Sequence, residues 1–136
     1  MQAAVLSIKL KRLAAGNDSR RRIAAHYGKL LAGSDRVSLP AVAAYSTHVF
    51  HLYVVRVKER DAVLQGLGGR GVSCGIHYPK PVHLQKAYAH LGLGRGALPV
   101  TERCADQILS LPMYPELSEG QVETVARELL ALLHGS

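Results

Sequence analysis

The sequence predicts an α/β fold of the α+β kind, in which helices cover a small, mostly antiparallel sheet of three strands. Apolar residues recur at helical spacing near both ends of the chain, and a β-branched and aromatic run lies in the middle. No internal repeat or long linker interrupts the 136 residues, a length that fits one domain with one core. We expect residues 1–33 to form two leading helices and residues 34–136 a small α/β domain.

The two leading helices are predicted from apolar faces. The first face comprises Ala3, Leu6, Leu10 and Leu13. No Ser, Thr, Asp or Asn precedes it to cap the first turn, which suggests that an upstream part of the chain is missing. "AGND" at Ala15–Asp18 breaks the pattern, and Asp18 or Ser19 can cap a second helix that ends near Gly33. The apolar stripe of the second helix comprises Ile23, Tyr27, Leu30 and Leu31.

Three segments are predicted as strands. The best is "HVFHLYVVRV" at His48–Val57, whose apolar groups on both faces suggest a position covered on both sides. "GVSCGIHY" at Gly71–Tyr78 reads as a second strand, and Leu109–Pro115 is short enough for an edge strand only. Residues 34–47 read as a loop, since Pro40 does not fit a central strand.

Helices are predicted around and after these strands. A short helix at Glu59–Leu67 ends at two glycines, and a brief helix follows Pro81. Pro99 suits the first position of the next helix, whose apolar face would contain Val100, Cys104 and Ile108. Ser118 and Gln121 form a capping box for the last helix. Its apolar face comprises Val122, Val125, Leu129 and Leu132.

Composition and charge narrow the possible functions. The net charge is +7, and residues 1–36 alone contribute +6, from eight Lys/Arg and two Asp. No stacking aromatics accompany this basic segment, so we do not expect nucleic-acid binding. No apolar run is long enough for a membrane span or reads as a signal peptide. We therefore expect a cytoplasmic protein, with Cys74 and Cys104 as free thiols. Their spacing from the histidines does not match a zinc site.

The stretch "CGIHYPKPVHLQKAY", Cys74–Tyr88, is the main candidate site. Pro79 and Pro81 restrict the backbone, so that His77, Tyr78 and His83 could hold fixed directions at low entropic cost. Imidazole and phenol groups suit hydrogen bonds to sugar hydroxyls or phosphate oxygens. Alternatively, His77 and Tyr78 simply end a strand and His83 caps a helix. The spacing does not separate these interpretations, and no catalytic residue is indicated.

Several segments together resemble the C-terminal part of the DegT/StrS-type sugar aminotransferases, pyridoxal-phosphate enzymes of fold type I. These are "QAAVLSIKLKRL" (Gln2–Leu13), "RRRIAAHYGKLL", "HVFHLYVVRV" with "ERD", "GIHYPKPVHLQKAY" (Gly75–Tyr88) and "LPVTERCADQILSLPMYPELSEGQV" (Leu98–Val122). They span roughly Gln2 to His134 in the family's order.

The resemblance implies transfer of an amino group to a keto sugar carried on a nucleotide. It places His77, Tyr78 and His83 toward the sugar nucleotide. The family's Schiff-base lysine lies in a large N-terminal domain that has no counterpart here. We therefore expect this chain alone to bind no pyridoxal phosphate and to lack catalysis. We also expect it to form a homodimer or higher oligomer through the leading helices. A non-catalytic sugar-nucleotide or protein-binding module, or a functionless remnant, is the alternative.

Overall fold

The computed structural model describes residues 2–135 and shows a three-stranded antiparallel sheet with helices packed against it. The predicted fold class is therefore confirmed. In chain order the helices and strands are α1 (Gln2–Leu10), α2 (Leu13–Leu31), β1 (Val37–Ser38), β2 (Tyr53–Val57), α3 (Arg60–Gly69), α4 (Pro99–Gln107), β3 (Ile108–Leu111) and α5 (Glu119–His134). Two 3-10 helices, Val82–Leu84 and Lys86–Leu91, stand between α3 and α4 where one brief helix was expected.

The strand order is β1-β2-β3, and only part of it was predicted. β1 lies in the expected loop and pairs Val37 with Val57. β3 pairs Leu111 with Tyr53 and is an edge strand, as expected. The predicted strand at 71–78 is wrong, because this segment makes only an isolated bridge between Gly75 and Ser110. The backbone of Gly71 is left-handed, with φ of 77°, and Pro79 has no N–H to donate, so neither side extends the ladder.

The central strand β2 buries one face. Tyr53, Val55 and Val57 point into the core, whereas Val54 is half-buried and Arg56 is exposed. The expectation of cover on both faces is therefore wrong at Arg56, whose guanidinium lies at the surface, 4.0 Å from Cys104 Sγ of α4. The buried face packs with α2, α3 and α5. The largest fully buried side chains are Tyr27, Leu31, Leu67, Leu109, Leu129, Val55, Val57 and Val122.

The leading helices differ from each other in burial. α2 is continuous through Gly16 and Asp18, so the predicted caps at Asp18 and Ser19 are wrong. The chain turns at residues 11–12 instead. Within α2, a Cβ at Gly16 would lie 3.4 Å from the Pro115 ring. α2 packs against α5 and its stripe enters the core. α1 buries none of its residues. Of the two predicted apolar faces, that of α1 is thus exposed and that of α2 is buried in the core.

The predictions for the last two helices are largely confirmed. Pro99 begins α4, and Ser118 and Gln121 form the capping box of α5 with both reciprocal hydrogen bonds. The predicted apolar face of α4 is wrong, because Val100 is 62% exposed while Glu102 and Ala105 are buried. The buried face of α4 instead carries Glu102, in its first turn, and Ala105.

Other features of residues 2–135 bear on the excluded functions. No helix in this range is long and apolar enough to cross a membrane. Within the same range no group of three or more His, Cys, Asp or Glu residues could hold a metal ion. Both cysteines are free thiols, and burial raises the pKa of Cys74 to about 11. Cys74 is therefore a poor nucleophile at neutral pH.

Candidate functional site

The Cys74–Tyr88 segment begins beside β3 and is attached to it through Ser110. Gly75 and Ser110 exchange two backbone hydrogen bonds, from Gly75 N to Ser110 O at 3.1 Å and from Ser110 N to Gly75 O at 2.8 Å. The Nδ1 atom of His77 lies 2.9 Å from Ser110 Oγ. Ser110 is 4% exposed, so this contact fixes the imidazole on a buried group. A Cβ on Gly75 would stand 2.9 Å from His77 Cε1, which shows how closely the ring covers the backbone.

Tyr78 extends away from this attachment. Its side chain is 73% exposed, and its ring meets the His77 ring edge-on, with centroids 5.5 Å apart. The peptide bond between the two residues is cis. Val82 and Tyr88, further along the segment, are also exposed, by 58% and 41%. The structure therefore presents His77 and Tyr78 together on an open surface with apolar neighbours.

His83 lies below this surface and is 6% exposed. Its Nε2 atom is 3.1 Å from Oε1 of Glu102, which stands in the first turns of α4. The Glu102 carboxylate also accepts from the backbone N–H of Gly96, at 2.8 and 2.9 Å, and from Leu98 N–H at 3.3 Å. The hydrogen bond from Gly96, followed by those from His83 and Leu98, lowers the pKa of Glu102 against the opposing effect of burial. Glu102 is therefore a carboxylate at neutral pH.

The joint between α4 and β3 is held by a buried arginine. Arg60, at the start of α3, is 6% exposed. Its Nη1 atom donates to the carbonyls of Ala105 at 3.1 Å and Ile108 at 3.0 Å, and its Nε donates to Asp61 at 2.6 Å. These carbonyls lie where the helix ends and the strand begins, so Arg60 fixes the two elements that carry Glu102 and Ser110.

The sequence predicted the exposed members of this candidate site and did not predict the residues that support them. The structure brings His77 and Tyr78 to one surface, whereas it buries His83. Glu102, Ser110 and Arg60 were not singled out. An acid three residues after Pro99, inside a first helical turn, is a signal for Glu102 that could have been used. Nothing in the local sequence marks Ser110 or Arg60, since their partners are distant along the chain.

The described residues do not fit a pyridoxal-phosphate site. The cofactor needs an amino group in a sheltered position for the Schiff base, and all six lysines are exposed: Lys9, Lys11, Lys29, Lys58, Lys80 and Lys86. Lysine amines on open surface are surrounded by water. None of the lysines within residues 2–135 therefore offers a sheltered amine for the Schiff base.

Comparisons with known proteins agree with the resemblance in the sequence. The DegT/DnrJ/EryC1/StrS aminotransferase family model matches residues 1–130. UDP-N-acetyl-3-dehydro-alpha-D-glucosamine 3-aminotransferase of Acidithiobacillus ferrooxidans is 42% identical over 135 residues, 99% of this chain and 36% of that protein. dTDP-3-amino-3,4,6-trideoxy-alpha-D-glucose transaminase of Micromonospora megalomicea is also 42% identical, over 99% of this chain and 37% of that protein. This chain thus spans little more than a third of these relatives' length.

Solved structures give the same result. The crystal structure of S. venezuelae DesV in complex with a ketimine intermediate superposes with a TM-score of 0.93 and 41% identity, over 98% of this chain and 36% of that one. An aminotransferase from Brucella abortus gives a TM-score of 0.88 and 37% identity, over 99% of this chain and 35% of that one. The extent of the match fits the interpretation of this chain as the C-terminal part of such an enzyme. The chain therefore belongs to the DegT/DnrJ/EryC1/StrS aminotransferase family.

Proposed function

We propose that this chain supplies the substrate-facing small domain of a pyridoxal-phosphate-dependent aminotransferase that acts on nucleotide-linked keto sugars in the cytoplasm. The observation that carries the proposal is the superposition of 98% of the chain on a transaminase structure containing a ketimine intermediate. The names of two relatives specify UDP- and dTDP-linked sugars, which supports the substrate class. The particular sugar and nucleotide are left open by the difference between those names.

In this function His77 and Tyr78 meet the sugar nucleotide. Because His77 Nδ1 is engaged by Ser110, its Nε2 is the ring nitrogen that can face a ligand. The exposed Tyr78 phenol can both donate and accept a hydrogen bond. His83, predicted from sequence as a third contact, is too deeply buried to share that surface. Its part in binding is therefore indirect.

The chain is not expected to catalyse alone, because its six lysines are all exposed. In this family's reaction the cofactor acts as the electron sink for the amino group, and a lysine moves the proton. In our proposal, the lysine and the residues that hold the cofactor lie outside residues 2–135. The contribution of this chain is binding and orientation of the sugar.

We further propose that α1 mediates self-association into a homodimer or higher oligomer. Its apolar side chains are largely open to solvent: Val5 is 51% exposed, Leu6 and Ile8 are each 65% exposed, and Leu10 is 67% exposed. An apolar helix face of this kind favours burial against another surface.

A chimeric enzyme tests the proposed function. Residues 2–130 would replace the matching stretch of the Streptomyces venezuelae dTDP-3-amino-3,4,6-trideoxy-alpha-D-glucose transaminase, which is 44% identical over 121 residues. We expect the chimera to bind pyridoxal phosphate and to transaminate a nucleotide-linked sugar. Tyr78→Phe in the chimera should raise KM more than it lowers kcat, because it removes one binding hydrogen bond.

One control variant and two possible outcomes complete the design of the chimera experiment. Tyr45→Phe removes a phenol that is 96% exposed outside the candidate site and should leave both kinetic constants unchanged. A chimera that is folded and loaded with cofactor, yet inactive on UDP- and dTDP-linked sugars, would contradict the proposed function. Binding of such sugars by the isolated chain, combined with an inactive chimera, would favour the binding-module alternative.

A further inference from the structure

Residues 77–83, which we call the Tyr78 arch, are attached to the protein at both ends. At one end His77 contacts the buried Ser110 of β3, 2.9 Å away. At the other end His83 contacts the buried Glu102 of α4, 3.1 Å away. Tyr78 and Val82, between the two ends, are exposed. Prolines at 79 and 81 stiffen the span, so its orientation is set mainly by its two attachments.

The Glu102 attachment closes a much longer excursion of the chain. All residues from 85 to 101 are exposed, while His83 before them and Glu102 after them are buried. The same carboxylate accepts from Gly96 and Leu98 within the excursion. The left-handed backbone of Gly92 and Gly96, with φ of 65° and 92°, turns the chain back toward it. One side chain therefore joins the arch, the returning loop and the start of α4.

We propose that Glu102 is a positioning residue for sugar-nucleotide binding, which holds the Tyr78 arch in its binding orientation through His83. This rests on the proposed function, since it deepens the role given there to Tyr78. Glu102 itself is buried and does not touch the ligand. Its effect is transmitted through the short 3-10 helix Val82–Leu84 and the two prolines.

The contact between His83 and Glu102 fixes which atom donates the hydrogen bond. A carboxylate can only accept, so His83 Nε2 carries the proton in the contact with Glu102. Nδ1 of His83 is buried without a hydrogen-bond partner among the described residues. Loss of the Glu102 contact would leave both nitrogens of a buried ring unpaired, a state that costs free energy and favours outward movement of the arch.

A purely local role in α4 is the competing explanation. Glu102 lies near the helix N-terminus, where an acid stabilises the first turn by itself. Two variants separate the roles. Glu102→Gln removes the negative charge and so weakens the hydrogen bonds that Oε1 accepts from His83, Gly96 and Leu98 alike. His83→Leu leaves the hydrogen bonds of Glu102 with Gly96 and Leu98 in place and removes only the link to the arch.

The test uses the full chain and backbone NMR relaxation at Tyr78, with amide hydrogen exchange in α4 as the readout of local helix stability. We expect both variants to lower the order of the Tyr78 backbone, while exchange in α4 changes little in His83→Leu. Glu128→Gln is the matched control, because Glu128 pairs with Arg70 at 2.9 Å in another part of the fold. It should leave Tyr78 unchanged. Unaltered order at Tyr78 in both site variants would overturn the proposal.

A titration with dTDP-glucose as the probe connects the arch to binding. If the wild-type chain binds the probe, Glu102→Gln and His83→Leu should weaken the affinity about fivefold, the cost of ordering the arch again on binding. Equal affinity in wild type and variants would overturn the positioning role while leaving the proposed function intact. If the wild type does not bind, the result counts against sugar binding by the isolated chain, and the relaxation data alone decide whether Glu102 holds the arch.

Discussion

The buried pair Tyr27 and Tyr53 should lower the free energy of unfolding at alkaline pH. One substitution, Tyr27→Phe, should remove part of this effect. Tyr27 is 0% exposed, stacks on Tyr53 with ring centroids 5.0 Å apart, and donates from its hydroxyl to the Pro112 carbonyl at 3.1 Å. Burial is the main cause that raises the pKa of Tyr27 far above its usual value of 10.0. Burial likewise raises the pKa of Tyr53 to about 12.

The sign follows from proton linkage. The raised folded-state pKa means that stability is fully present below the unfolded value and is lost as pH rises from there through the folded value. At about pH 11, one unit above the unfolded value, each such tyrosine has lost about 1.4 kcal/mol of its contribution. Burial of Cys74, whose pKa is raised to about 11, adds a loss of the same sign.

Tyr27→Phe isolates one of these contributions. At about pH 8 the variant should be less stable by about 1 kcal/mol, because it lacks the hydrogen bond to Pro112. At about pH 11 the wild type has lost about 1.4 kcal/mol of unfolding free energy through Tyr27, and the variant has not. The variant should then be more stable than the wild type by a few tenths of a kcal/mol. The two stability curves should therefore cross between these pH values.

Urea unfolding followed by far-UV circular dichroism measures this difference without relying on tyrosine fluorescence. Tyr45→Phe serves as the control, since that ring is 96% exposed and folding scarcely changes its surroundings. Its difference from the wild type should stay near zero throughout. A Tyr27→Phe penalty that stays constant from neutral to alkaline pH would refute the reasoning.

Three further predictions concern other parts of the chain. Gly66→Ala should be less stable than Gly68→Ala by about 1 kcal/mol in urea unfolding, because a Cβ at Gly66 would stand 2.8 Å from Leu132 Cδ2 and one at Gly68 meets nothing within 4 Å; equal stabilities would show that Leu132 moves freely aside. The lowered pKa of Glu102 gives a contribution present above its unfolded pKa and lost as pH falls through the folded value. Acid titration of stability should thus be shallower in Glu102→Gln than in the wild type, and identical curves would argue against it. Leu6→Glu on the exposed face of α1 should reduce oligomer mass in light scattering at micromolar concentration, and a monomeric wild type would contradict self-association through α1.

Sequence patterns predicted the elements whose stability is local. The capping box at Ser118 and Gln121 and the start of α4 at Pro99 depend on residues a few positions apart, and both are confirmed. β1 depends on pairing of Val37 with Val57, twenty positions away, and it was missed. Its two residues carry no pattern long enough to detect.

The predicted strand at 71–78 and the predicted helix cap at Asp18 failed for a different reason. Each pattern was present, but tertiary contacts decided otherwise. α2 begins at Leu13, and Gly16, ahead of the predicted cap, lies close to Pro115, whose ring would be 3.4 Å from a Cβ at that position. Gly75 finds one partner residue, Ser110, beyond which no strand continues.

The candidate site also combines a segment that local sequence indicates with supports that depend on distant contacts. Prolines, tyrosine and histidines concentrated in one stretch indicated a constrained surface segment, and the exposure of Tyr78 agrees with that. The supports came from far along the chain: Glu102 lies 19 positions from His83 and Ser110 lies 33 positions from His77. Only the folded structure reveals which polar residues meet beneath the surface.

The absence of buried residues in α1 couples the folding of this segment to its surroundings. A helix of nine residues is shorter than the roughly 12–15 that an isolated helix needs in water. Without core contacts, most of the free energy that orders α1 must come from whatever surface covers its apolar face. The helix content of Gln2–Leu10 should therefore rise when that face is buried, which makes this segment an internal reporter of assembly that circular dichroism can follow.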